Sequence, residues 1–193
     1  MRDYAIDLSI QLKKFGGRFV LGRRRYIPHI SLYHIPVRAE NFEPFSHQVE
    51  NITRAFSGGE LNLRAIELPL LMTDKPEWLQ KLHLDVVTKT SKYFDWDYGA
   101  EDSWSTDRLP ANLRVRAKGY LEKYGSPLIG AGFRPHITLT SFDDKSVVDE
   151  IPPLPFRPMS FHVDTIHICE LGSSHSCQQI VTKFNASVDR GSF

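Results

Sequence analysis

Two short segments of this chain carry the same pairing of an imidazole with a hydroxyl. Pro28-His29-Ile30-Ser31-Leu32 recurs as Pro135-His136-Ile137-Thr138-Leu139, with one hydroxyl residue exchanged for another. A lone His-x-Ser/Thr carries little information, because a chain with 8 histidines meets it about once by chance. Two copies set in the same pentapeptide are a different matter. Side chains alternate along a strand, so His29 and Ser31 share one face while Ile30 and Leu32 share the other. The same alternation sets His136 and Thr138 against Ile137 and Leu139. A strand buried on both faces reads as a near-continuous apolar run, so the polar face here meets water or substrate. The plainer reading, a surface histidine beside a hydroxyl, has to be invoked twice at equivalent places.

Two imidazoles can take one proton and deliver another near neutral pH, since the unperturbed histidine pKa is about 6.5. Splitting a phosphodiester needs both transfers, and fixed donors for the charge on the non-bridging oxygens. Ser31 and Thr138 are placed to give those hydrogen bonds. Alternation also carries Tyr33, Phe142 and Arg134 onto the same faces. Tyr33 could stack on a base and Arg134 could pair with a phosphate. Rim packing for the aromatics and a solvated salt bridge for Arg134 are the alternatives.

The remaining histidines carry less. His83, at an apolar helix start, reads as packing or capping, and His34 points away from His29's face. His162 and His167 have opposite parity on one expected strand, and His175 falls at a hairpin tip. No His/Cys cluster has zinc spacing. Asp95, Asp97, Glu101 and Asp102 could bind a divalent cation, or form a solvated loop with aromatic anchors. No metal or cofactor is expected.

The elements that must position these residues follow from periodicity. Tyr4 to Leu12 alternates apolar and polar residues, as a half-buried strand does. Tyr26 to Val37 reads as a second strand after a Gly16-Gly17 turn. Phe42, Phe45, Val49, Ile52 and Phe56 recur at helical spacing, ended by Gly58-Gly59. Glu60 to Met72 is extended, Asp74 to Glu77 a turn, Trp78 to Leu82 a short strand and His83 to Phe94 a helix. Asp95 to Pro110 is irregular, and Ala111 to Tyr124 is a helix closed by Gly125. Phe133 to Phe142 is strand-like, Asp144 to Glu150 a short helix, and Ile151 to Pro158 a proline-rich link. His162 to Leu171 and Gln178 to Phe184 pair as a hairpin. Long strands with separate helices argue for an α+β fold with antiparallel sheets. Because a helix and extended segments follow each pentapeptide, the chain reads as two similar strand-helix-strand-strand lobes within one domain, 1–193.

At 193 residues the chain can bury a substantial core unaided. A formal charge of +1 excludes a protein that coats long nucleic acid, so a nucleic-acid substrate should be small or gripped at one end. One asymmetry stands out. No acid lies between Asp7 and Glu40, where Lys13, Lys14, Arg18, Arg23, Arg24, Arg25 and Arg38 gather. They form either a solvated basic loop offset by acids elsewhere or a positive wall that draws in phosphate. Cys169 and Cys177 could sit opposite one another but make no disulfide framework. No signal segment or membrane-spanning stretch is evident, so a cytoplasmic monomer with reduced thiols is expected.

The doubled His-x-Ser/Thr, each after a proline, resembles the two-histidine (2H) phosphoesterase superfamily. That superfamily includes the 2′-5′ RNA ligases and cyclic nucleotide phosphodiesterases. The likeness extends to the opening strand expected around Tyr4, to Leu82-His83 at a helix start and to the closing hairpin around Gly172. It implies two antiparallel sheets facing each other across a central cleft, each lobe giving one motif. It also implies His29 as acid and His136 as base, hydrolysing a 2′,3′-cyclic or 2′-5′-linked nucleotide or RNA end. The stretch from Asp95 to Asn112 is longer than the simplest members need. A non-catalytic module binding a nucleotide or RNA end in the same cleft is the alternative.

Overall fold

In the computed structural model, which describes residues 1–98, 111–172 and 176–187, the chain combines α-helices with antiparallel sheets. It divides into two compact units. The first holds Met1–Ser31, Gly58–Lys75 and Pro135–Lys183, and the second holds Leu32–Ser57, Pro76–Arg134 and Phe184–Phe193. His29 and His136 both belong to the first unit, so the units do not take one pentapeptide each.

The first unit opens on helix α1, Arg2–Lys13, where the alternation predicts a strand. Tyr4, Ala5, Leu8, Ser9 and Leu12 are the residues it buries, a helical stripe, whereas Ile10 stays 47% exposed. Short runs of alternating apolar residues fit both periods, and a helix uses Ala5 and Ser9 where a strand would have turned them outward. Asp3 in the first turn and Lys13 in the last complement the helix dipole.

Helix α1 shares a core with a four-stranded sheet. Strands β1 (Gly59–Glu67), β2 (Leu70–Thr73), β3 (His136–Thr138) and β4 (Ser160–Val163) lie in the order β3-β2-β1-β4, every pair antiparallel. Leu8 and Leu12 of the helix pack with Leu63, Leu71, Ile137 and Leu139. The extended run from Glu60 to Met72 is thus a hairpin, turning at Leu68-Pro69. Helix α5, Val147–Glu150, follows β3. Strand β5 (Thr165–Leu171) pairs with β6 (Cys177–Asn185) in a separate sheet. Their short connection allows only an antiparallel pair. His162 is on β4 and His167 on β5, so the single strand expected through both is really two, broken at Asp164.

No strand forms over Tyr26 to Val37. Pro28 and Pro36 lack amide donors, so this stretch cannot complete a ladder. The expected strand from Phe133 to Phe142 shrinks to β3 for a related reason. Pro135 precedes it, and beyond Leu139 the backbone turns to bond with the segment after α1.

The second unit is helical. Helix α2, Phe42–Arg54, buries Phe45, Val49 and Ile52, as the spacing predicts. Helix α3, Glu77–Thr90, runs unbroken where a short strand and a later helix were expected. Its buried Leu79, Leu82, His83, Val86 and Val87 make one helical stripe from the first turn onward. The two helices pack together, and the Phe56 ring lies on Trp78 with centroids 5.4 Å apart. Helix α4, Ala111–Tyr124, matches its predicted bounds. Gly125 closes it at φ +67°, its amide donating to the Leu121 carbonyl at 2.8 Å.

Candidate active site

His136 and Thr138 take their places from β3. His136 stands opposite Met72, Ile137 opposite Leu71 and Thr138 opposite Leu70. Ile137 is fully buried while His136 and Thr138 are half-buried on the other face, as alternation requires. The Leu139 amide extends the pairing, donating to the Pro69 carbonyl at 3.0 Å.

His29 has no strand to hold it, and a chain of single contacts does the work. The buried Thr140 hydroxyl donates to the Phe19 carbonyl at 2.9 Å, and the Arg18 amide donates to Ser141 at 2.9 Å. Gly17 permits this approach, because a Cβ there would lie 2.8 Å from the Thr140 hydroxyl oxygen. The backbone then turns through Tyr26, which sits at φ +52° with its ring stacked on Phe19 at 4.8 Å. The Ile27 amide donates to the Cys177 carbonyl at 3.1 Å, and the Ile27 carbonyl accepts from His29 Nδ1 at 2.8 Å.

That last bond defines the imidazole. A carbonyl only accepts, so Nδ1 carries the proton and Nε2 keeps the lone pair while the ring is neutral. Burial pushes the His29 pKa below its ordinary value. The Ile27 bond opposes this, and charge on His136 lowers it further. His29 and Thr138 also line one crevice with Phe19, Tyr26, Ser176 and Cys177, which leaves room for about one water molecule.

Of the residues the sequence singles out, the structure brings His29 and Thr138 together in this crevice, and His136 shares Thr138's face of β3. Ser31 is half-buried at the end of the first unit and does not line the crevice. Tyr33 belongs to the second unit, where its hydroxyl donates to the Tyr124 carbonyl. Burial, and then the nearby Tyr124 phenol, push the Tyr33 pKa upward. Arg134 is exposed and also counts with the second unit. Phe142 packs against the first unit's core.

His83 is a structural residue. Its Nδ1–H donates to the Leu32 carbonyl at 2.8 Å, its Nε2 accepts from the Gly130 amide at 3.3 Å, and its ring lies flat on Phe133. Both nitrogens are occupied. Asp95 and Asp97 are engaged by one guanidinium, Arg38, with Asp95 at 3.0 Å from its Nε. Glu101, Asp102 and His175 lie outside the described residues. The basic cluster is largely paired as well: Arg18 meets Asp143 at 3.3 Å and Arg23 meets Asp3 at 2.9 Å, while Arg25 holds Gln178 at 2.7 Å. These pairings favour the loop offset by acids over the open positive wall.

Phe19, Tyr26, Ile27, Ser176 and Cys177 were not legible as site residues. Ile27 and Cys177 act through backbone atoms, which leave no mark in the residue types. The left-handed Tyr26 has no turn signature, and only its nearness to Pro28-His29 pointed there. No protein-family model matches the chain, and no curated protein matches it.

Proposed function

We propose that the chain is a two-histidine phosphodiesterase acting, without a metal, on a 2′,3′-cyclic or 2′-5′-linked nucleotide or RNA end. The observation that carries this reading is the crevice that His29 and Thr138 line together, with His136 two residues before Thr138 on the same face of β3. The doubled pentapeptide adds to it. So does the order of elements, since an extended segment, α2, β1 and β2 parallels β3, α5, β4 and β5. On this reading the chain is a duplicated bilobal fold with its sheets facing a cleft.

The free His29 is a base, reversing the order that the family resemblance implies. Its Nε2 takes the proton from water as the water oxygen attacks phosphorus. The bond from phosphorus to the leaving oxygen breaks, and protonated His136 supplies that oxygen with a proton. The Thr138 hydroxyl donates to a non-bridging oxygen, where charge builds. A crevice with room for about one water is too small for a phosphate, so the diester sits over its mouth.

The test is a panel of 2′,3′-cyclic nucleotides, 2′-5′ oligonucleotides, cyclic ADP-ribose phosphate and RNA ends, offered to pure protein in excess chelator. The expected result is turnover of one class to a phosphomonoester at a defined position. Binding without turnover across the panel would turn the case to a nucleotide-binding module. Activity lost in chelator and restored by a divalent ion would end the metal-free mechanism.

A further inference from the structure

The link from helix α5 to strand β4, Ile151 to Pro158, carries prolines at 152, 153, 155 and 158. Proline fixes its own φ at about −65°, and the residue before a proline is held extended. Every residue of the link except Phe156 is a proline or precedes one, so its backbone is set to the polyproline II conformation. Ile151, where the link begins, stands at φ −76° and ψ 123°. None of the residues from 152 to 158 joins a helix or a strand. Polyproline II turns once every three residues, so side chains three apart share one edge of a three-edged rod.

The contacts follow that period. Ile151 is buried, Leu154 packs against the core of the first unit, and the Arg157 guanidinium lies over the Tyr4 ring at 5.9 Å. The Tyr4 hydroxyl donates to the Pro155 carbonyl at 2.7 Å and accepts from the Arg157 amide at 3.0 Å. One edge is thus fastened down. The other two face outward, with Pro152, Pro155 and Pro158 on one and Pro153 and Phe156 on the next, all exposed.

We propose that this outward ridge is a docking site for a protein domain that reads polyproline segments through a groove walled by aromatic side chains, with a carboxylate at the groove's rim. The inference does not depend on the phosphodiesterase reading.

The chemistry of the partner follows from the ridge. Pyrrolidine rings recur at 152, 155 and 158, about 9 Å apart at the rise of this helix, a repeat that suits successive aromatic slots. A polyproline II backbone makes no hydrogen bonds to itself, which leaves carbonyls for the indole N–H and phenol O–H groups of such a groove. Charge sets the rim. Arg157 is exposed and meets no carboxylate among the described residues, so an acid on the partner finds a guanidinium beside the last turn of the rod. The ordering that a free proline-rich tail undergoes on binding is already imposed here by Tyr4 and Leu154, and such preorganisation favours association. Five neighbouring exposed rings also form a strip, unlike the scattered single apolar residues of an ordinary surface.

The experiment titrates the isotopically labelled full chain with purified SH3, WW and EVH1 domains, one at a time, and follows its amide resonances. At least one domain should give saturable shifts centred on the amides of Leu154, Phe156, Arg157 and Met159. Pro155→Ala and Phe156→Ala, both at exposed positions, should each weaken that domain's affinity by roughly tenfold or more. Arg157→Glu should weaken it further than Arg157→Ala, because it sets a like charge against the acidic rim. Amide spectra of the variants should overlay on the wild type away from the link, which separates a lost contact from a lost fold. The proposal is overturned if no domain shifts these amides, if the shifts centre elsewhere on the chain, or if Pro155→Ala and Phe156→Ala bind as the wild type does. A short RNA that shifts the Arg157 region while every domain fails would also overturn it, and would give the guanidinium to a phosphate instead.

Discussion

His29 holds its Nδ1–H on the Ile27 carbonyl at 2.8 Å, and that bond decides which nitrogen is left to accept a proton. Burial, and the charge on His136, then favour the neutral ring, which leaves Nε2 with its lone pair. If proton transfer is its role, His29→Ala should lower kcat by roughly 10²- to 10⁴-fold, and His136→Ala by a similar factor. KM should change less, because each ring acts mainly in the transition state. Steady-state kinetics on the substrate identified from the panel separates this from a binder, in which affinity alone would fall. The pH dependence carries a sign. Protonation of His29 removes the base, so its limb of the profile lies on the acid side, below the ordinary histidine range. Deprotonation of the acid forms the other limb, and the bell belongs to the pair rather than to either residue. A rate that fell only as pH rose would remove His29 from the role of base. Of the candidate site, His29 and Thr138 were legible as a pair, because a chain compared with itself displays a repeated polar face without any outside reference. The hinge of the arrangement was not. Ile27 and Cys177 contribute an amide and two carbonyls, and any residue except proline could supply the same atoms.

At the scale of elements, legibility followed how many turns a pattern spans. Helix α2 repeats its apolar residues from Phe42 to Ile52 and was visible in full, as was α4 with its glycine stop. Helix α1 was not, because Tyr4, Leu8 and Leu12 satisfy periods of two and four alike. Only the sheet it covers decides between them, and that sheet is assembled from residues far along the chain. The segment from Tyr26 to Val37 misled for the opposite reason: its composition is strand-like, but a strand also needs donors for its neighbours. Gly125 provides a direct test of an element boundary. It sits at φ +67°, and a Cβ there would fall 1.9 Å from the Phe94 ring. Ala at that position meets both a backbone penalty and a clash with a buried ring. Gly125→Ala should therefore destabilise the fold by about 2–4 kcal/mol in denaturant titration. A change within about 0.5 kcal/mol, the usual range for surface substitutions, would contradict the packing of α4's end against Phe94.

For the whole molecule, two histidines among the described residues whose pKa burial lowers couple the fold to pH. His29 is one, and His167 on β5 is the other. Burial lowers the His167 pKa, and the positive charges of Lys183 and Arg2 lower it further. In the unfolded chain both rings titrate near the unperturbed value of about 6.5. Between the depressed folded values and that point, the unfolded state binds more protons than the folded state, so stability must fall as pH falls. Their full contribution is present above about pH 6.5 and is lost as pH drops through the folded values. Carboxylates act in a lower window. Asp144, which the Ser146 hydroxyl and amide hold below the usual carboxylate range, loses its contribution only in more acidic solution. A melting temperature followed from pH 7.5 down to about 5 isolates the histidines, since acids titrate near 4 and below. The expected result is a decline over that span that is shallower in His167→Gln, and shallower again when His29→Gln is added. His167→Gln also removes the buried Nε2 that lacks a hydrogen-bond partner, so its own melting temperature near pH 7 serves as the reference for its slope. Parallel curves for wild type and the double variant would show that neither ring is held neutral by the fold, and would remove the physical basis for His29 as a resting base.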